Sequence, residues 1–185
     1  MSDGSEFRRE IDLPLLLAVT GMPSSGKTTV ADGLARRLRL PVIAKDEIKE
    51  SLYDSLGADD VGASERLGRT AYALIFALAR SMLDSGVSAI VEANFFQGQK
   101  EDFASLPAHR FVQIHCHAPL AVLTERYASR SRHAVHHDAE KIKELPERLA
   151  SGAHEALDLP GTLVELDTTL PVDLDALAAR VARSS

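Results

Sequence analysis

The chain has no tryptophan, and aromatic residues make up only 5% of its 185 positions. A protein that tracks a nucleic-acid strand needs a basic groove, usually with aromatic platforms for the bases. Here platforms are scarce and the net charge is −6, so neither a nucleic-acid partner nor an anionic membrane surface is expected. The single cysteine, Cys116, excludes an internal disulfide. Together with the glycine loop described below it points to a cytoplasmic location. No apolar run approaches the roughly 20 residues that a membrane span needs. The polar start lacks the apolar core of a signal peptide. Gly4-Ser5-Glu6-Phe7 reads as translated cloning sites, so residues 1–10 are expected to be a tag-like, disordered N-terminus. No internal repeat or low-complexity linker divides the rest. With 26% charged and 45% hydrophobic residues, residues 11–185 have the composition and length of one globular domain. Its expected state is a monomer or homodimer.

What the chain does have is Gly21-Met22-Pro23-Ser24-Ser25-Gly26-Lys27-Thr28, which fits G-x-x-x-x-G-K-[ST], the phosphate-binding P-loop. The apolar run at 15–20 before it reads as a buried strand. Val30, Leu34 and Leu38 after it recur at a helical spacing of four. Strand, glycine loop and helix are the context the motif requires. Gly21 and Gly26 let the backbone turn tightly against a phosphate. The loop N–H groups and the helix N-terminus point at the anion. Lys27 can reach the β- and γ-phosphates, and Thr28 can ligate Mg²⁺.

The same alternation continues. Short strands are expected at 42–44, 87–91, 111–117 and 163–166. Helices are expected at 47–55, at 99–105, at 120–131, at 139–149 with Pro146 ending or kinking it, and after the capping residue Asp173. The clearest helix carries Leu67, Ala71, Leu74, Leu78 and Met82 on one face and stops at Gly86. The polar, histidine-rich residues 131–138 read as a mobile loop. Strands alternating with helices imply right-handed crossovers and a parallel sheet covered on both faces. The ligand then sits at the carboxyl ends of the strands, where the P-loop, Asp46, Glu92 and Asn94 all fall.

Asp46 follows the second strand, where a carboxylate can take a proton from an acceptor hydroxyl. It can equally cap the helix expected to begin at Glu47. Lys49, one turn on, can hold an anionic substrate group or simply be solvated. Glu92 stands where P-loop proteins place an acidic residue near the Mg²⁺ water shell, usually Asp. Being one methylene longer, it suits contact through water or with substrate, and Asn94 stands beside it. Arg126 and Arg130 share a helix face, with Arg132 beyond, and arginines there can neutralise a transferred phosphoryl group. His133, His136 and His137 lack the companions of a zinc site and fit a lid better. His115 and His117 share one face of a strand and read as sheet-end residues.

Taken together, the P-loop, Lys45-Asp46-Glu47-Ile48-Lys49, the strand ending Glu92-Ala93-Asn94, and Arg126-x-x-x-Arg130 before His133 resemble the small P-loop kinases of the AAA-domain ATP-kinase group. That group borders chloramphenicol phosphotransferase, the zeta toxins and the 5′-kinase domain of polynucleotide kinase. The resemblance runs from Leu15 through nearly the whole chain. It implies an α/β, P-loop NTPase-type three-layer sandwich with a five-stranded parallel sheet and a helical lid at about 126–138. It implies ATP with Mg²⁺, and γ-phosphoryl transfer to a hydroxyl with Asp46 as base and Arg126 and Arg130 clamping phosphates. Nucleotide contacts fall on Gly21, Pro23, Ser24, Ser25, Gly26, Lys27, Thr28, Thr29 and Arg126. Thr168 and Pro171 join them, in a stretch resembling the one that lies against adenine. Asp46, Lys49, Glu92 and Asn94 face the acceptor. Two departures bear on that acceptor: Lys49 stands where the polynucleotide-kinase pattern has Arg, and Glu92 replaces Asp. The expected acceptor is a small hydroxyl compound such as an antibiotic, sugar or nucleoside. The alternatives are a 5′-hydroxyl nucleic-acid kinase and a nucleotide-dependent switch or ATPase without an acceptor.

Overall fold

The apolar run before the P-loop forms β1, Leu15–Gly21, with every residue buried. In this computed structural model residues 13–58, 60–129, 133–136 and 142–184 are described. The further strands are β2 (Val42–Ala44), β3 (Ala89–Glu92), β4 (Arg110–His117) and β5 (Thr162–Asp167). All pair in parallel, in the order β2-β3-β1-β4-β5. The helices are α1 (Lys27–Leu38), α2 (Lys45–Leu56), α3 (Val61–Asp84), α4 (Lys100–Ala104), α5 (Leu120–Ser129), α6 (Leu145–Ala150) and α7 (Leu174–Arg183).

Because successive strand residues point to opposite faces, β1 feeds two cores. Leu15, Leu17 and Val19 pack with Val30 and Leu34 of α1 and Leu177 and Val181 of α7. Leu16 and Ala18 pack with Ile75, Ala79 and Leu83 of α3. This is the expected three-layer sandwich. The scarce aromatics gather in the second core, where Phe95 and Phe76 each lie 5.0 Å from Phe103, centroid to centroid. A smaller cluster of Met22, Leu123, Tyr127 and Leu145 holds α5 and α6 against the end of the sheet that carries the P-loop. Asp173 caps α7 as expected, accepting from the N–H groups of Asp175 and Ala176.

Four expectations need correction. The buried stripe of α3 is Ser64, Leu67, Ala71, Ile75, Ala79 and Leu83, whereas Leu74 and Leu78 face outward. Pro146 neither ends nor kinks a helix but lies in the first turn of α6, where its missing N–H costs nothing. Helix α2 begins at Lys45 with Ala44 in the cap position, so Asp46 lies inside the first turn and does not cap it. The expected mobile loop is, in its described part, a seated 3₁₀ turn, Ala134–His136, with Val135 and His136 buried. Residues 130–132 and 137–141, and with them Arg130, Arg132 and His137, lie outside the described residues, as does the expected N-terminal tail.

Candidate active site

The strand order sets out the site. β1 sits mid-sheet, so the P-loop is central. The turn after β5 lies towards one edge and the start of α2, after β2, lies towards the other. These edges are roughly 19 Å apart at the usual strand spacing.

The loop itself is tightly wound. Gly21, Ser24 and Gly26 have φ of 139°, 65° and 84°, all in the left-handed region that L side chains avoid. A Cβ on Gly21 would run into the backbone carbonyl of Cys116 on the neighbouring strand, so glycine is required there. Gly26 caps α1 without any side-chain bond, leaving the first-turn N–H groups directed at the loop's interior. The Lys27 ammonium donates to the Met22 carbonyl at 3.4 Å and lies 3.8 Å from Glu92 Oε1, both side chains being buried. The buried hydroxyls of Ser24 and Ser25 have no hydrogen-bond partner among the described residues. Buried polar groups are normally satisfied, so these orphans mark a place for polyanion oxygens. Thr28 and Thr29 are exposed at the start of α1.

Towards β5, a cavity of about 370 Å³ is lined by Gly26, Thr29, Val30, Arg126, Thr168 and Leu174. Asp167 shapes the turn by accepting from the Thr169 N–H and hydroxyl. Arg126 donates from Nη1 to Thr168 Oγ1 at 3.0 Å and from Nη2 to the Thr168 carbonyl at 2.7 Å. Thr168 therefore stands beside the P-loop, and exposed Pro171 follows it. Arg126 is tied to the β5 side of the loop. In this arrangement it borders the cavity and does not reach across to Glu92 and Asp46.

On the opposite side, Glu92, Asn94, Asp46 and a residue that the sequence did not single out, Tyr72, come together. Tyr72 Oη donates to the Asn94 carbonyl at 2.9 Å, and Lys45 Nζ sits 5.4 Å from its ring centre. Burial, together with the negative charges of Asp46 and Glu92, raises the Tyr72 pKa far above that of a free phenol. The phenol stays protonated and committed to Asn94. The side-chain Oδ1 of Asn94 is buried without a hydrogen-bond partner among the described residues. Asp46 is half-buried, with Lys45 Nζ 3.5 Å from its carboxylate. Lys49 departs from expectation: it is buried, donating to Ser64 Oγ at 2.8 Å and to the Val135 carbonyl at 3.2 Å. It holds the 133–136 turn and is not open to a substrate anion.

His115 and His117 end β4 and line a small cavity beside Met22 with His154 and Arg148. Desolvation lowers the pKa of both His115 and His154. His115 Nδ1 pairs with Thr20 Oγ1 at 3.0 Å. Burial pushes the Cys116 thiol up to about 12, which makes it a packing residue and not a nucleophile. Among the described residues no group of histidine, cysteine and carboxylate side chains could hold a metal by itself.

A mid-sheet P-loop flanked on one side by a cavity of about 370 Å³ and on the other by the buried Glu92 and half-buried Asp46 carboxylates defines a P-loop phosphotransferase class of site. The profile of the AAA-domain family matches residues 16–151, and the chain belongs to that family, within the small P-loop kinase group. An adenylyl-sulfate kinase from Shewanella baltica is 29% identical over 122 residues, which is 61% of this chain and 56% of the relative. The chain thus spans little more than half the length of the curated relatives it matches. A crystal structure of a proposed kinase from Chloroflexus aurantiacus superposes with a TM-score of 0.85 at 35% identity, covering 94% of this chain and all of the other. A sugar kinase from Janibacter sp. shares the fold, with a TM-score of 0.58 at 20% identity over 90% of this chain and 91% of its own.

Proposed function

We propose that this protein is an ATP-dependent kinase that transfers the γ-phosphoryl group to a hydroxyl of a small molecule. The observation that carries the reading is the convergence of two groups of residues on one P-loop, a cavity at Arg126 and Thr168 and the cluster of Asp46, Glu92, Asn94 and Tyr72. The similar adenylyl-sulfate kinase and sugar kinase are named for small acceptors, which supports the same class here.

The roles follow from placement. The base and ribose occupy the cavity at Thr168, where the flat Arg126 guanidinium can stack on a ring. The phosphates lie in the loop, meeting its N–H groups, the Ser24 and Ser25 hydroxyls and Lys27. That ammonium exchanges its pairing with Glu92 for the β- and γ-oxygens. Thr28, with Glu92 through water, would hold Mg²⁺, and the ion would supply neutralising charge on the phosphates. Asp46 accepts the proton of the acceptor hydroxyl. The acceptor's own oxygen, freed of that proton, forms the new bond to the γ-phosphorus as the bond to the β–γ bridging oxygen breaks, and ADP leaves. Asn94 Oδ1 is placed to accept from a second acceptor hydroxyl.

The test is to screen hydroxyl compounds for ATP consumption above the water background, in wild type and in Lys27→Met. Acceptor-dependent consumption that the substitution abolishes without unfolding the protein is expected. Unchanged turnover in folded Lys27→Met would contradict the reading.

A further inference from the structure

Away from the P-loop, titratable side chains gather where the 133–136 turn seats on α2. His136 is only 4% exposed. Its Nε2 lies 2.6 Å from Glu50 Oε1 and its Nδ1 4.0 Å from Asp46 Oδ1. Asp46 and Glu50 are four apart on one helix and so share a face, which places the imidazole between two carboxylates. The turn is held from behind. The Val135 carbonyl accepts from Ser64 Oγ at 2.8 Å and from Lys49 Nζ at 3.2 Å. His133 Nε2 lies 3.1 Å from Asp54 Oδ1, and its ring meets Tyr53 edge-on at 5.1 Å. Asp54 is one further helical turn along the same face. The helix thus offers a column of three carboxylates to two histidines of one turn, and the first of the three is the residue assigned as base.

We propose that His136 is a positioning residue for Asp46: pinned to Glu50 through Nε2, its ring stands beside the Asp46 carboxylate and sets its orientation and charge. The proposal rests on the reading of Asp46 as proton acceptor. Glu50 accepts the Nε2–H, which fixes the ring plane. The 4.0 Å to Asp46 exceeds hydrogen-bond reach, so the coupling is electrostatic or passes through one water. A cationic ring beside Asp46 favours the ionised carboxylate, the form that takes a proton. The charged or titratable groups packed about the ring and its turn include Asp46 and Glu50, Lys45 on the same Asp46 oxygen, Lys49 on the Val135 carbonyl, and His133 of its own turn. Helix α3 contributes the Ser64 hydroxyl.

The experiment is ¹⁵N NMR of the histidine rings in the full chain, titrated without ATP or acceptor, with His136 assigned by its loss in His136→Gln. Each carboxylate facing the ring favours its protonated form. Asp46→Asn and Glu50→Gln should therefore each lower the His136 midpoint, by about half a unit or more, roughly threefold in the proton equilibrium. Conversely, His136→Gln should raise the midpoint of the Asp46 carboxyl carbon. An unmoved His136 midpoint in Asp46→Asn, with a shift in Glu50→Gln, would make the ring a latch on Glu50 alone and overturn the proposal. If His136→Gln does not fold, the two α2 variants still decide, with the assignment taken from through-bond spectra. No phosphoryl transfer enters this measurement, so its failure leaves the kinase reading standing. Undiminished turnover in Asp46→Asn would sink the reading of Asp46 as proton acceptor and leave the coupling intact.

Discussion

Asp46 is the residue on which the proposed chemistry turns. Asp46→Asn keeps the shape but cannot take a proton, and the loss of a general base typically slows turnover by about 10²–10⁴-fold. ATP affinity, set on the β1 and β5 side, should stay within a few-fold by calorimetry; a wild-type rate would remove Asp46 from the mechanism. His115 and His154 carry a second consequence. Burial lowers the pKa of both in the folded protein, so below the ordinary histidine value of about 6.5 the unfolded chain binds more protons. Their contribution to stability is complete above that pH and is lost as pH falls through the lowered folded values. The melting temperature should fall between pH 7 and pH 5, and His115→Gln with His154→Gln should flatten that slope; an unchanged slope would contradict the burial argument. The P-loop residues, Asp46, Glu92 and Asn94 were legible in the sequence because motif and strand-end position mark them. Tyr72 and His136 were not. A tyrosine inside a helical stripe and a histidine in a polar loop acquire their roles only from what packs on them.

At the scale of elements, local pattern identified the strands and helices but not the face each buries. Residues 74–78 of α3 read Leu-Ile-Phe-Ala-Leu, so steps of three and four can be threaded through either Leu74 and Leu78 or Ile75 and Ala79. The sheet, not the helix, selects Ile75 and Ala79. Likewise Asp46 looked like a cap because helix starts are uncertain by a residue or two, and α2 extends back to Lys45. The β1–α1 junction leaves less freedom. Gly21→Ala forces a Cβ onto φ 139° and into the Cys116 carbonyl. Strain of this kind costs on the order of 1–3 kcal/mol, visible as a lowered urea midpoint and weakened ATP binding together. Loss of neither would show that the loop is less tightly constrained than its geometry indicates.

For the whole molecule, alternating strands and helices implied a parallel sheet, but not the order β2-β3-β1-β4-β5. That order separates the cavity at Arg126 and Thr168 from Asp46 and Asn94, on opposite sides of the P-loop, and brings Glu92 beside it. Net charge belongs to this scale as well: it is −6, and Lys49, one of the basic residues expected to face the acceptor, is committed to the 133–136 turn. The most direct measurement of the central claim follows γ-labelled ATP offered two kinds of acceptor, a panel of small hydroxyl compounds and a 5′-hydroxyl oligonucleotide, at rising salt. The account predicts label on a small compound, abolished in Lys27→Met and changing little with salt. Efficient labelling of the oligonucleotide that falls steeply with salt, as counterion release at a phosphate backbone requires, would contradict it.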